Sequence, residues 1–112
     1  MDCLFCKIAA GAIPSTQVYH DDTVIAIEDI NPQAPTHLLV MPRAHHANIG
    51  DLSDASEAAL LARLIEVATK LGREHGNNGY RLVMNTGADG GQTVDHLHIH
   101  VLAGRHLTWP PG

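Results

Sequence analysis

The sequence predicts a single domain, residues 1–112, of mixed strand and helix structure. Three observations predict it. The chain has 112 residues, of which 45% are hydrophobic. It contains several short apolar runs with many β-branched residues. It also carries one long segment with helical periodicity. A chain of this length builds one modest core rather than two.

The charge and hydropathy of the chain exclude several kinds of partner. The formal net charge is −5 and no basic run is present, so we expect no binding to nucleic acid polymers or to anionic membranes. No apolar run is long enough to span a bilayer, and Met1-Asp2-Cys3 opens directly into sequence typical of a folded domain. We therefore expect a cytoplasmic protein that binds small molecules.

Turn and breaker residues divide the chain into short elements. A short helix is predicted from Leu4 to Ala10, because Gly11 and Pro14 end it. The other predicted elements are an extended segment from Val18, strands at 23–27, 36–41 and 80–85, a helix from Ser53 or Asp54 to about Glu74, and a glycine-rich loop at 86–93.

The long helix has a broader apolar stripe than one small sheet requires. The stripe consists of Leu60, Leu61, Leu64, Ile65, Ala68 and Leu71. Trp109 lies in a proline-bounded tail that forms neither helix nor central strand, and an indole ring is costly to leave exposed. Both features predict contact with a second copy of the chain.

The segment from His96 to Leu102 places three imidazoles at two-residue spacing between apolar residues. Alternation of this kind predicts a strand with His96, His98 and His100 on one face and apolar side chains in the core. One interpretation is catalytic, because the imidazole pKa lies near neutrality and neighbouring rings can divide the roles of nucleophile and donor. The other is a metal site, since alternate histidines are good zinc ligands. The spacing alone supports both.

Cys3 and Cys6 form a C-x-x-C pair with three interpretations: a redox dithiol, half of a zinc site, or two small buried residues. A thioredoxin-like pair would follow a strand, and none precedes this one. A zinc site needs two more ligands, which His45 or His46 together with His96 could supply.

Two further segments have a ligand-binding interpretation beside a structural one. Asp29 ends a strand, where it either caps a turn or accepts hydrogen bonds from vicinal hydroxyls, as carboxylates do with ribose. The glycines of the 86–93 loop permit close approach of backbone N–H groups to phosphate, or form an ordinary connection. Asn85 and Thr93 flank this loop as neutral donors.

These segments together resemble the histidine triad (HIT) family, in the branch of purine nucleoside phosphoramidases. The resemblance covers nearly the whole chain. It is carried by Phe5-Cys6-Lys7-Ile8, Ile13-Pro14, the run from Asp29 to His37, Gly90-Gly91-Gln92, the three histidines followed by Val101-Leu102, and Trp109-Pro110-Pro111-Gly112.

The resemblance implies an α+β fold with an antiparallel sheet, and a two-fold homodimer in which the sheets of two protomers join. It also implies a nucleoside 5′-monophosphate site on each protomer. The implied activity is hydrolysis of purine nucleoside 5′-phosphoramidates, such as adenosine 5′-phosphoramidate, and of related acyl nucleotides. No cofactor is required for that reaction.

The resemblance also implies residue roles. His98 matches the nucleophile, and Asp29 and Ile30 match the ribose and base contacts. Trp109 matches a residue that approaches the partner's site. The supporting histidines are His45 and His96, and the positions around the phosphate and leaving group are Asn85, Gly91, Gln92, Thr93 and His100.

The chain departs from the usual family pattern at three positions. Thr93 stands where a serine is usual, Asp95 where an aromatic residue is frequent, and Ala103 where the first of two glycines follows the triad. Thr93 keeps the hydroxyl, so donation to the leaving group should survive. The departures bear on substrate preference rather than on the class of reaction.

The cysteine pair is found in a subset of relatives. In that subset, the four residues Cys3, Cys6, His45 and His96 would bind structural zinc, and the two histidines would be ligands rather than parts of a proton relay. Three hypotheses follow: a nucleotidyl hydrolase, a nucleotide-binding regulatory module with incidental hydrolysis, and a zinc protein in which all three histidines bind the metal.

Overall fold

A computed structural model describes residues 3–112, and the predicted start of the folded chain at Met1 and Asp2 lies outside them. The elements are α1 (Leu4–Ala9), β1 (Gln17–His20), β2 (Val24–Glu28), β3 (Thr36–Pro42), 3₁₀ turns at Ile49–Leu52 and Ala55–Glu57, α2 (Ala58–His75), β4 (Tyr80–Val83) and β5 (Ile99–Ala103).

The five strands form one sheet in the order β1-β2-β3-β5-β4, and every neighbouring pair is antiparallel. The predicted α+β fold with an antiparallel sheet, one long helix and one short helix is therefore confirmed. Strand β5, which follows the glycine-rich loop, pairs with β3 on one side and β4 on the other. Strand β4 lies at one edge of the sheet and β1 at the other.

A helix covers each face of the sheet because side chains alternate along the strands. Helix α2 packs against one face, where Val24, Val40 and Ile99 are fully buried. Helix α1 covers the other face with Phe5 and Ile8, which pack in a second core; its strand residues are Ile25, Ile27, Leu39 and Met41. The histidine row borders this second core.

Helix α2 begins later than predicted. Asp54 is an N-cap, as expected, but its carboxylate accepts the Ser56 N–H and starts a single 3₁₀ turn, after which the α-helix runs from Ala58 to His75. The predicted end before Gly76 is confirmed. The buried face includes Val67, which the predicted stripe omitted, whereas Ile65 is 36% exposed.

The predicted histidine strand is too long at its start. Residues Leu97, Ile99 and Val101 are buried as expected, but the hydrogen-bonded strand begins at Ile99, so His96 and His98 precede it. The paired strand β3 ends in Pro42, which has no N–H to continue the ladder. The Leu97 N–H donates to the His46 carbonyl instead, over 2.6 Å.

The C-terminal tail is irregular, as predicted. Arg81 fixes its start by donating to the carbonyls of Leu107 and Thr108, whereas Trp109 is 82% exposed on the protomer. Trp109 thus finds no packing site among residues 3–112 of its own chain. No helix within residues 3–112 is long and apolar enough to cross a bilayer.

Candidate active site and metal centre

His98 has a defined ring orientation in a nearly buried position. Its Nδ1–H donates to the backbone carbonyl of His96 over 2.7 Å, and the residue is 7% exposed. A carbonyl oxygen only accepts, so the proton of the neutral ring lies on Nδ1 and the lone pair on Nε2. Within the described residues Nε2 has no hydrogen-bond partner, and no buried side-chain nitrogen or oxygen there lacks one. The unbonded Nε2 is therefore open to the surface.

His100 is oriented by a chain of donors that begins at the main chain. The Gln33 N–H donates to Nδ1 of His37 over 3.0 Å, which puts the proton of neutral His37 on Nε2. That N–H donates to Nδ1 of His100 over 2.8 Å. Neutral His100 therefore carries its proton on Nε2 and can act as a donor, beside the ring of His98 at 4.9 Å between centroids.

The environment of His37 and His100 favours the uncharged form of each ring. Burial, with the neighbouring His98 and His37, lowers the pKa of His100 to about 4. Burial also lowers the pKa of His37 below its usual 6.5, although Asp29 opposes the shift with a carboxylate oxygen 3.4 Å from Nε2. The donor chain from Gln33 to His100 is thus intact at neutral pH.

His37 is a site residue that the sequence analysis did not single out. It is 6% exposed and lies on β3 at the position facing Leu102 of β5. In sequence it is one polar residue ahead of an apolar run, which is also the pattern of a satisfied core histidine. The available signal was its distance of eight residues from Asp29, with both on strand ends that an antiparallel hairpin brings together.

Four side chains from three distant segments form a second cluster, made of Cys3, Cys6, His45 and His96. The Nδ1 atom of His96 lies 3.3 Å from Sγ of Cys3 and 3.5 Å from Sγ of Cys6, and Nδ1 of His45 is 3.5 Å from Sγ of Cys6. All four atoms lie within 4.8 Å of one another. The cysteines are not joined in a disulfide.

This cluster fits a zinc ion by its spacing and by the tautomer of His96. Tetrahedral zinc with the usual bond lengths separates sulfur and nitrogen ligands by about 3.6 Å, close to the spacing observed. The Nε2–H of His96 donates to the Pro42 carbonyl over 2.8 Å, which leaves the Nδ1 lone pair directed at the thiols. Support of a ligand histidine by a backbone carbonyl is usual in metal sites.

The three histidines of the row do not lie in one group of potential ligand atoms. His96 belongs to the cysteine cluster, and His100 lies with His37 and Asp29 in a second group of potential ligand atoms. Among residues 3–112, His98 joins neither group. The geometry therefore opposes the hypothesis that one metal ion binds all three histidines.

Asp29 caps a turn, as one of the two interpretations from the sequence predicted, and it also lies near His37. One carboxylate oxygen caps the turn by accepting the Asn31 N–H over 2.8 Å, and the other lies 3.4 Å from His37. The next side chain, Ile30, is fully exposed. Ile30 thus offers an apolar surface to a flat ligand. This surface lies beside the Asp29 carboxylate, which itself lies next to the donor chain from Gln33 to His100.

The glycine-rich loop is held internally and requires its glycines. Gly91 has φ +82°, and a Cβ at Gly90 would lie 2.3 Å from the Thr86 carbonyl oxygen. The side chain of Gln92 accepts the Gly87 N–H and donates to two main-chain carbonyls, those of Ala47 and Val94. Gln92 therefore fixes the loop, and Gly91 and Thr93 are exposed at its surface. Asn85, at the loop's start, is half-buried.

These features define a class of protein: a small α+β domain whose antiparallel sheet presents one histidine with a free nitrogen between a donor chain and a cluster of two thiols and two imidazoles that could hold a metal ion. A family model described as HIT domain matches residues 10–107. The chain therefore belongs to the HIT domain family, and the resemblance stated from the sequence is confirmed.

Individual relatives match along almost the whole chain. The purine nucleoside phosphoramidase of Escherichia coli strain K12 is 47% identical over 108 residues, covering 95% of this chain and 90% of the relative. The 14 kDa zinc-binding protein of Zea mays is 46% identical over 112 residues, covering 97% of this chain and 87% of the relative. A HIT family hydrolase from Legionella pneumophila Philadelphia 1 superposes with a TM-score of 0.94 at 50% identity, covering 99% and 100% of the two chains.

Proposed function

We propose that this protein is a hydrolase that cleaves the phosphorus–nitrogen bond of purine nucleoside 5′-phosphoramidates and the corresponding bond of related acyl nucleotides. The observation that carries the proposal is the tautomer of His98. Its Nδ1–H is bound to the His96 carbonyl, which leaves Nε2 unprotonated and exposed as a nucleophile.

The reaction has two steps. In the first, Nε2 of His98 attacks the α-phosphorus, a nitrogen–phosphorus bond forms, and the bond to the leaving amine breaks. In the second, water attacks the phosphorus and the nitrogen–phosphorus bond breaks, which releases the nucleoside 5′-monophosphate and restores neutral His98. The proton lost by the water returns to the group that protonated the amine. For acyl nucleotides, a carboxylate leaves in place of the amine.

The leaving amine needs a proton, and two groups could supply it. His100 presents Nε2–H because His37 donates to its other nitrogen, and a neutral donor of this kind acts as a general acid. Thr93 offers a hydroxyl at the exposed end of the glycine-rich loop. We assign proton donation to these two groups, and we assign His45 and His96 to the metal centre rather than to the relay.

The nucleotide is held by groups that follow β2 and by the glycine-rich loop. Asp29 accepts hydrogen bonds from the ribose hydroxyls and Ile30 contacts the base, in agreement with its exposure. Asn85, Gly91 and Thr93 donate to the phosphate oxygens, where charge develops during transfer. Gln92, whose amide is already bonded to the main chain, holds the loop in place.

We also propose that Cys3, Cys6, His45 and His96 bind a structural zinc ion. The ligand spacing and the His96 tautomer support this assignment, and the Zea mays relative is a zinc-binding protein. Zinc would cross-link α1 to the segment before β5 and to the segment after β3. The reaction itself requires no metal.

A homodimer completes the proposal. Strand β4 is a free edge of the sheet. Exposed hydrophobic residues near it are Tyr80 on β4, Met84 directly after β4, and Ile65 on α2. Pairing of the β4 edges of two protomers would join their sheets and cover these side chains. The exposed Trp109 would then reach the partner's site and influence the choice of leaving group.

Mass spectrometry of protein quenched during turnover tests the proposed function. With adenosine 5′-phosphoramidate as substrate, we expect an adenylyl adduct whose position maps to His98. Purine monophosphate binding without adduct or turnover, for every phosphoramidate tried, would instead identify a nucleotide-binding regulatory module. An adduct on another residue would overturn the assignment of the nucleophile.

A further inference from the structure

Phe5 lies between the two cysteines in the sequence and against two histidine rings in space. It is 5% exposed, and its ring meets that of His98 edge to face, with centroids 5.1 Å apart and planes at 87°. The ring centroids of Phe5 and His96 are 5.9 Å apart, and the two ring planes form an angle of 75°. Aromatic pairs in this geometry are favourable beyond the area that they bury. Phe5 is thus the aromatic contact that α1 makes with the histidine row.

The His98 ring needs such a contact. One hydrogen bond, from Nδ1–H to the His96 carbonyl, fixes the tautomer but leaves the ring able to tilt about that bond. His98 also precedes the first ladder pair of β5, so the ladder does not fix its backbone. A tilt of a few tenths of an ångström at Nε2 is costly because attack on phosphorus requires near-linear alignment.

The position of Phe5 depends on the thiol cluster. Helix α1 has only six residues, and a helix of this length is not stable by itself. Besides the packing of Phe5 and Ile8 in the second core, it is held by Cys3 and Cys6, whose sulfur atoms contact Nδ1 of His96. The same short helix therefore carries both the thiols and the ring that contacts His98.

We propose that Phe5 is a positioning residue for the nucleophile, and that it connects the thiol cluster to His98. This proposal rests on the proposed function, because it takes His98 to be the nucleophile. A change in the contacts of the thiol cluster then alters the alignment of the nucleophile through α1, although none of the four side chains of the cluster touches the substrate.

The first test replaces the ring without emptying the core. Phe5→Leu should lower kcat about tenfold with KM changed less than about twofold, because only the alignment of the reacting ring is lost. Ile8→Val is the matched control, since Ile8 lies on the same helix, in the same core and 7% exposed. Equal losses of kcat in the two variants, or no loss in Phe5→Leu, would overturn the proposal.

A spectroscopic readout separates alignment from stability. The ¹⁵N shifts of the His98 ring in the free protein should show one tautomer, protonated on Nδ1, in the wild type and in Ile8→Val, and averaged or broadened signals in Phe5→Leu. Phe5→Met, which fills more of the space, serves if the leucine variant does not fold. An unchanged His98 spectrum in the folded Phe5 variant would contradict the proposal.

The link to the cluster is tested by non-additivity. Cys6→Ala should lower kcat in the same way as Phe5→Leu, and the double variant should lose no more than the larger single loss, because both changes act through one contact. If the kcat losses of the two single variants multiply in the double variant, the two changes act independently, and the proposed connection between the thiol cluster and His98 is contradicted. Failure of the proposed function is distinct: the wild type would then form no adduct, while its ring spectrum would still report whether Phe5 holds His98.

Discussion

His96 and His98 are two residues apart, both are buried, and both contact the ring of Phe5, yet their ring nitrogens are oriented in opposite ways. A backbone carbonyl binds Nε2 of His96 and thereby turns its Nδ1 lone pair toward two thiols. A backbone carbonyl binds Nδ1 of His98 and leaves Nε2 open. The choice of which nitrogen meets the carbonyl thus separates the proposed metal ligand, His96, from the proposed nucleophile, His98. Both residues are buried histidines of the same row, so neither residue type nor spacing tells them apart.

The largest expected effect comes from removing the nucleophile. His98→Asn should reduce release of amine from adenosine 5′-phosphoramidate by about 10³-fold or more, because it removes the ring nitrogen that forms the covalent intermediate. His20→Asn, at an exposed histidine on β1, is the control and should retain full activity. A His98→Asn variant with more than a tenth of wild-type activity would contradict the assignment.

The proposed zinc site is tested by substituting two neighbouring histidines, one inside the cluster and one outside it. Saturating zinc should stabilise the wild type by about 3 kcal/mol at a hundredfold excess over the dissociation constant. His45→Ala should abolish most of this zinc-dependent rise in Tm, because it removes a ligand. His46→Ala should preserve it, since His46 is outside the cluster. A zinc response that survives His45→Ala would refute the proposed ligand set.

The donor chain predicts an intermediate loss. His37→Phe keeps the volume near that of the imidazole but removes the N–H that donates to His100. We expect kcat to fall by about 10- to 100-fold, as for loss of a general acid, with little change in KM. His37→Gln should recover part of the activity, because an amide can still donate. Equal rates for the two variants would show that the hydrogen bond is not what matters.

A smaller effect is expected at the ribose contact. Asp29→Asn keeps an acceptor for the Asn31 N–H, so the turn should persist, but the weaker acceptor should raise the dissociation constant for purine monophosphate about tenfold. Calorimetric titration measures this change. Asp22→Asn, in the exposed turn before β2, should bind like the wild type. Unchanged binding by Asp29→Asn would exclude the carboxylate from the nucleotide site.

The smallest expected effect is on the pH dependence of stability. The pKa of His100 is about 4 in the folded protein because the ring is buried, whereas its unfolded value is the usual 6.5. The unfolded state therefore binds the proton first, and the free energy of unfolding should fall as the pH drops from 6.5 toward 4. Urea denaturation at several pH values should show a shallower fall for His100→Gln. An identical slope would mean that His100 is not buried uncharged.

The sequence by itself determined the class of fold and most of the elements, and it supplied most of the candidate site residues. Alternation of apolar and polar residues places Leu97, Ile99 and Val101 in the core whatever lies beyond them, because that pattern is local. The glycine loop, Asp29 at a strand end and the cysteine pair were equally visible. The start of β5 was not, since it depends on Pro42 in another strand.

Only the tertiary structure decided what each histidine can do. Tautomers and pKa values follow from groups that the fold brings together across the chain, such as the Pro42 carbonyl on His96 and the His37 ring on His100. The contact of Phe5 with His98, 93 residues further along the chain, is of the same kind. Periodicity reports which face a side chain takes, whereas the direction of a proton depends on a hydrogen bond whose partner is remote in sequence.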